Sequence, residues 1–166
     1  MSREKKHQKV LLLCLGNICR SPTAEGVLRA RAQARGVLDI LTIDSAGTAA
    51  YHTGEPPDPR SIEAALARGY DLRTLRARQL TDRDMHTFDE ILAMDQSNLD
   101  ALRTRSQSMS TPQAETNLFL SYAPKRAEEE VPDPYYGGTN GFETVLDLCE
   151  AAADGWLDAH GWTARV

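Results

Sequence analysis

The chain has 166 residues, 26% of them charged, and a formal net charge of −5, which suits one soluble domain with one core. The acidic balance argues against nonspecific nucleic-acid binding, and no basic-aromatic interleaving offsets it. No stretch approaches the ~20 apolar residues that span a membrane, and three cysteines make no disulfide framework, so the expected location is cytoplasmic.

In chain order, residues 1–8 read as a flexible basic lead-in. Arg3, Lys5, Lys6 and Lys9 surround the approach to the apolar run Val10, Leu11, Leu12, Leu13, which is too short for the roughly 7–15-residue core of a secretory signal. That run is expected to be a central strand covered on both faces. Ser21 offers a helix N-cap and Pro22 the first helical position, and Ala24, Val27, Leu28 and Ala32 form an apolar stripe that Gly36 ends. A second strand is expected over 38–43. Asp58-Pro59 can start a helix carrying Ile62, Ala65 and Leu66 as far as Gly69. A third strand is expected over 90–94, a short polar helix over 97–105, a polar loop over 106–115 and a fourth strand over 117–120. Phe142, Val145, Leu146, Cys149, Ala152, Ala153, Trp156 and Leu157 share one face of a last helix. Strands alternating with helices predict an α/β three-layer sandwich around a parallel sheet, as a single domain over 9–160 with 161–166 as a tail.

The segment between the first strand and the first helix carries the chemistry. It reads Cys14-Leu15-Gly16-Asn17-Ile18-Cys19-Arg20-Ser21, a cysteine and an arginine with a glycine-bearing turn between them. Backbone N–H groups of such a loop can converge on one anion at the helix start, and their field favours the thiolate of a cysteine placed there. Arg20 adds a planar fork for two oxygens of a tetrahedral oxyanion. Such a loop lies beyond the carboxyl ends of the strands, where ligands of these sheets bind. A free cysteine is often only a small buried hydrophobe; the arginine and the helix start favour a nucleophile at Cys14. Cys14 and Cys19 could be half a zinc site, but no second pair exists and His7, His52, His86 and His160 are scattered, so no metal is expected. Downstream, Pro132 and Pro134 hold Asp133 in a stiff extended loop beside Tyr135 and Tyr136. Alone it reads as a surface turn; beside a thiolate nucleophile it can supply the proton that an aryl leaving group needs.

The loop from Cys14 to Pro22, followed by Ala24-Glu25, resembles the signature of the low-molecular-weight protein tyrosine phosphatases. Asp133-Pro134-Tyr135-Tyr136-Gly137 is similar to that family's general-acid loop, and Ser45-Ala46-Gly47-Thr48, Ala77-Arg78-Gln79 and Met94-Asp95 fit in order. The resemblance implies a four-stranded parallel sheet and no cofactor. It implies a phosphocysteine intermediate on Cys14, with Arg20 and the loop 15–21 (Leu15, Gly16, Asn17, Ile18, Cys19, Ser21) holding the phosphoryl oxygens and Asp133 as acid and then base. It gives Ser21, Asn17 and Ser45 the support of the loop, and Leu15, Ile18, Tyr51, Tyr135 and Tyr136 the walls of a phosphotyrosine cleft. Cys19 is implied as a redox partner of Cys14, and Cys149 is read as core. The implied partners are tyrosine-phosphorylated protein or peptide as substrate and inorganic phosphate as product; a monomer is the simpler expectation.

One departure is visible. Many members carry a histidine shortly before Ala-Arg-Gln that bonds to the loop asparagine, and Leu75 stands there instead, so different support for Asn17 is expected. Two other activities use the same scaffold. An arsenate reductase adds relay cysteines, which this chain lacks between Cys19 and Cys149. A protein-arginine phosphatase carries threonine at the position of Ile18. A catalytically dead phosphate reader would not need nucleophile, arginine and acid together.

Overall fold

A computed structural model describes residues 7–124, 128–135 and 140–163. Four strands, β1 (Gln8–Cys14), β2 (Leu41–Gly47), β3 (Glu90–Ala93) and β4 (Glu115–Leu118), form one sheet in the order β2-β1-β3-β4 with every pair parallel. Five helices accompany them: α1 (Arg20–Ala34), α2 (Pro59–Ala67), α3 (Asp82–Thr87), α4 (Gln96–Gln107) and α5 (Asn140–Ala159).

The run 10–13 is fully buried because both sheet faces are covered. Side chains alternate between faces along a strand. Val10 and Leu12 therefore enter the core beneath α1 and α5, with Trp156, Phe119 and Leu146. Leu11 and Leu13 enter the second core, with Met85 and Phe88 of the α3 region and Leu99 and Leu102 of α4. This is the expected three-layer sandwich. All eight residues assigned to the apolar face of the last helix are buried in α5.

Element ends differ in informative ways. Residues 38–40 form a 3₁₀ turn, and β2 continues from Leu41 to Gly47 through Asp44 and Ser45. Those polar residues are tolerated because Asp44 meets Arg78 and Ser45 meets Asn17 and Glu25. The fourth strand begins two residues earlier than expected, while Phe119 and Leu120 turn into the core. Helix α3 was not anticipated, although Thr81 and Asp84 form a capping box that opens it. Gln8, placed in the lead-in, is the first residue of β1; Trp162, placed in the tail, is buried against Trp156.

Ser21 is not the N-cap of α1. The helix starts at Arg20 with Cys19 as N-cap and no capping side chain, because the Ser21 hydroxyl is turned toward Cys14 and Asn17. Asp58 does cap α2, accepting the Arg60 N–H at 2.8 Å, and Gly69 follows that helix with φ of +89°. Among the described residues, no helix is long and apolar enough to cross a membrane.

Candidate active site

The β1–α1 loop lies at the carboxyl end of the sheet's second strand, beside the turn where strand order changes direction. A cleft of about 190 Å³ is lined there by Cys14, Leu15, Gly16, Ile18, Cys19 and Arg20 from the loop, with Tyr51, His52, Asp133 and Tyr135. Cys14 is 3% exposed, so its thiol sits at the base. Its Sγ is 3.0 Å from Ser21 Oγ and accepts the Asn17 N–H at 3.3 Å. No described residue accepts a hydrogen bond from the N–H groups of Leu15, Gly16, Ile18 or Cys19, leaving four donors around the cleft.

Asn17 has φ of 58°, a left-handed conformation that costs a non-glycine residue about 1–3 kcal/mol. Its side chain holds it there. Nδ2 donates to Ser21 Oγ at 2.8 Å and Ser45 Oγ at 3.0 Å, and Oδ1 accepts the Arg78 N–H at 3.0 Å. The two hydroxyl bonds are buried and the Arg78 bond is part-buried, and Ser45 Oγ itself donates to Glu25 Oε1 at 2.7 Å, also buried. Asn17 is thus held by backbone and hydroxyl partners, while Leu75 packs against the main core. Burial raises the Glu25 carboxyl above the ordinary glutamate range, opposed chiefly by the Ser45 bond and Arg29.

Arg20 is 4% exposed and anchored from behind. Nη1 donates to Asp95 Oδ2 at 2.6 Å and to the Val131 carbonyl at 3.1 Å, and Nη2 lies 3.7 Å from Asp133 Oδ2. Burial works against its charge, but Asp95, Cys14 and Asp133 together raise its pKa, so the guanidinium is permanently cationic. Asp95 also caps α4, accepting the Asn98 N–H at 2.7 Å. Asp133 is 41% exposed at the mouth, with Oδ1 accepting the Tyr135 N–H at 3.0 Å.

Leu15, Tyr51 and Tyr135 are exposed at the rim, while Ile18 is buried deeper. Tyr136 lies outside the described residues. Cys19 is a buried thiol pushed up to about 12 by burial and by the Asp58 carboxylate, hence a neutral thiol in the resting site. Cys149 is wholly buried in the core. The three described cysteines are free.

Four contributors had no assigned role from sequence: Asp95, Glu25, His52 and Arg60. Asp95 was the most legible, since it lies two residues after β3 on the ligand-binding edge of the sheet. His52 adjoins Tyr51 at the rim, with Nδ1 2.8 Å from Glu55.

Residues 9–163 match the family model described as Low molecular weight phosphotyrosine protein phosphatase. A low molecular weight protein-tyrosine-phosphatase of Streptomyces coelicolor is 45% identical over 154 residues, covering 91% of this chain and 92% of its own. The crystal structure of a protein tyrosine phosphatase from Entamoeba histolytica superposes with a TM-score of 0.86 at 36% identity, covering 91% of this chain and 95% of the other. A Drosophila arginine phosphatase gives a TM-score of 0.86 at 30% identity, covering 92% and 97%.

Proposed function

The chain belongs to the low molecular weight phosphotyrosine protein phosphatase family, and we propose that Cys14 is its nucleophile, Arg20 its phosphoryl-binding cation and Asp133 its proton donor. It is a protein-tyrosine-phosphatase, a hydrolase whose substrates are phosphoproteins. The observation that carries the residue assignment is a buried thiol hydrogen-bonded at 3.0 and 3.3 Å beneath an arginine.

In this reading the Cys14 thiolate attacks phosphorus in line with the tyrosine oxygen. A P–S bond forms as the P–O bond breaks, and Asp133 delivers its proton to the departing phenolate. Arg20 and the loop N–H groups hold the equatorial oxygens, on which charge is spread in the transition state. Asp133, now a carboxylate, then takes a proton from water as that water attacks phosphorus. The P–S bond breaks, restoring the thiolate and releasing inorganic phosphate. Ser21 Oγ stabilises the thiolate in both half-reactions, and Asn17 with Ser45 keeps the loop in shape. No cofactor enters the scheme.

Leu15, Ile18, Tyr51 and Tyr135 support phosphotyrosine and small aryl phosphates as substrates, because a narrow apolar cleft with the thiol at its base favours a long flat side chain. The shared scaffold does not separate this from phosphoarginine hydrolysis, since both kinds of structure superpose equally well; the apolar and aromatic walls do. Arsenate reduction has less support, because Cys149 is sealed in the core. Cys19 serves as the thiol that condenses with a peroxide-generated sulfenic acid on Cys14, giving a disulfide and water. Three free cysteines fit a monomer working in the reducing cytoplasm.

The test is hydrolysis of phosphotyrosine and phosphoarginine peptides by the wild type, Cys14→Ser and Asp133→Ala. The wild type should cleave the phosphotyrosine peptide preferentially and the serine variant should be inactive. Full activity of Cys14→Ser overturns the assignment, and preference for phosphoarginine overturns the substrate.

A further inference from the structure

The acid loop is gripped on both sides of Asp133. Two residues before it, the Val131 carbonyl accepts from Arg20 Nη1 at 3.1 Å. Two residues after it, the Tyr135 carbonyl accepts from Arg60 Nη2 at 3.2 Å. The first arginine belongs to the phosphate-binding loop. The second belongs to the first turn of α2 and does not line the cleft.

Arg60 is itself held in place. Asp58 accepts its Nε at 3.0 Å and its Nη2 at 2.9 Å, a bidentate fork, and also its backbone N–H at 2.8 Å. The guanidinium carbon lies 4.8 Å from the Phe142 ring centroid and 5.5 Å from that of Tyr135, within cation–π range of both. Asp58 in turn donates its N–H to the Ile18 carbonyl at 2.8 Å. A continuous path therefore runs from the phosphate-binding loop through Asp58 and Arg60 to Tyr135, whose own N–H holds Asp133 Oδ1. On the far side Pro134 packs close to Gly141 of α5, where an added Cβ would stand 3.3 Å from the proline Cβ. Asp133, exposed and flanked by prolines, has few contacts of its own to set its position.

We propose that Arg60 is a positioning residue for proton donation, fixing the Tyr135 end of the acid loop so that Asp133 stands over the Cys14 and Arg20 site. This rests on the assignment of Asp133 as the acid. A fork, two ring faces and a carbonyl require a planar guanidinium, so lysine cannot replace it fully. The role is separable from phosphoryl binding, because Arg60 borders neither Cys14 nor the loop N–H groups. Removing it leaves the nucleophile and Arg20 in place, since the Asp58 N–H still holds the Ile18 carbonyl, and loosens chiefly the acid.

The experiment compares kcat/KM for a phosphotyrosine peptide, whose phenolate is a poor leaving group, with that for p-nitrophenyl phosphate, whose leaving group needs little protonation. Arg60→Met and Arg60→Lys are measured beside Asp133→Ala and the Asp133→Ala/Arg60→Met double variant. The lysine variant keeps a cation for Asp58 if the methionine variant folds poorly. Both Arg60 variants should lose about tenfold on the peptide, part of the roughly 10²–10⁴-fold that a positioned acid supplies, and less than about twofold on the nitrophenyl ester. The alkaline limb of the peptide's pH profile should flatten. The double variant should be no slower than Asp133→Ala, because Arg60 acts through that residue. Equal losses on both substrates, or a further loss in the double variant, overturn the proposal while leaving the acid assignment standing. If Asp133→Ala itself shows no leaving-group dependence, the acid assignment fails and the role of Arg60 fails with it.

Discussion

Ser45→Ala tests the support of the phosphate-binding loop most directly. The Ser45 hydroxyl sits between two buried partners, accepting from Asn17 Nδ2 at 3.0 Å and donating to Glu25 Oε1 at 2.7 Å. Alanine leaves an amide N–H and a carboxylate oxygen without a partner inside the protein. A hydrogen bond to a charged group contributes about 1.5–3 kcal/mol and a neutral one about 1, so the loss should be about 2–4 kcal/mol. Asn17 would still be held by Ser21 and the Arg78 N–H, so its left-handed backbone should survive with more play and inorganic phosphate should inhibit several-fold less well.

The pH dependence adds a second, signed expectation. Glu25 is raised above the ordinary glutamate range by burial, and the Ser45 bond is the leading influence pulling it back. Removing that bond raises it further. A carboxyl raised in the folded state makes its stabilising contribution at low pH and loses it as pH rises through the folded value. The variant's penalty should therefore be largest near neutrality and shrink on acidification through the glutamate range. Urea denaturation at several pH values measures this, with the slope m unchanged and only the midpoint moved. A midpoint within about 0.5 kcal/mol of wild type at neutral pH, or a gap that widens on acidification, refutes the network's role.

Asp95→Asn leaves one acceptor oxygen for two donors, the Asn98 N–H and Arg20 Nη1. Asparagine is a good helix cap, but Arg20 loses its buried counter-charge, so stability should fall by about 1.5–3 kcal/mol while steady-state kinetics show kcat falling about tenfold as Arg20 loses its orientation. At the other end of the sheet, His160 Nε2 lies 2.9 Å from buried Glu90, and Nδ1 lies 2.8 Å from the Trp156 carbonyl. Burial alone would lower the His160 pKa, but the Glu90 and Trp156 bonds raise it; burial alone would raise that of Glu90, but His160, Tyr122 and Trp156 lower it. The pair's stabilisation should be complete between the glutamate and histidine ranges, fade as pH falls through the lowered Glu90 value, and fade as pH rises through the raised His160 value. Thermal midpoints taken across pH should show the alkaline decline, and His160→Gln should flatten it.

What could be read from sequence followed the strength of local constraint. Four consecutive apolar residues pointed to a doubly covered strand, and the loop after them combined a thiol, a glycine and an arginine in a spacing that suits an anion. The four-residue extension of β2 was less legible because Asp44 and Ser45 break an apolar pattern; their partners, Arg78 and Glu25, are distant in sequence. Ser21 was read as a cap from a local rule, yet the deeper demand of Cys14 and Asn17 took its hydroxyl. Arg60 was invisible for the same reason, since its contact with Tyr135 spans 75 residues. Local propensity fixes elements, whereas these polar bonds exist only after the sheet has brought its loops together.

The carboxylates around Arg20 bear on catalysis as well as stability. A guanidinium this buried would be expensive without a counter-charge, and Asp95 supplies one at 2.6 Å. That pairing also tempers the attraction of Arg20 for any anion, substrate and product alike. Uniformly tighter anion binding would lower KM without raising kcat and would slow release of phosphate. What Asp95 leaves intact is direction. Nη2 remains on the cleft side, 3.7 Å from Asp133, and the loop residues with unpaired N–H groups line the same cleft. Under the proposed mechanism, stabilisation is then strongest for a phosphoryl group whose equatorial oxygens match that fixed array, which is the transition state rather than the free ester. In that reading an acidic chain processes a dianion because oriented donors within the loop, not net charge, select it.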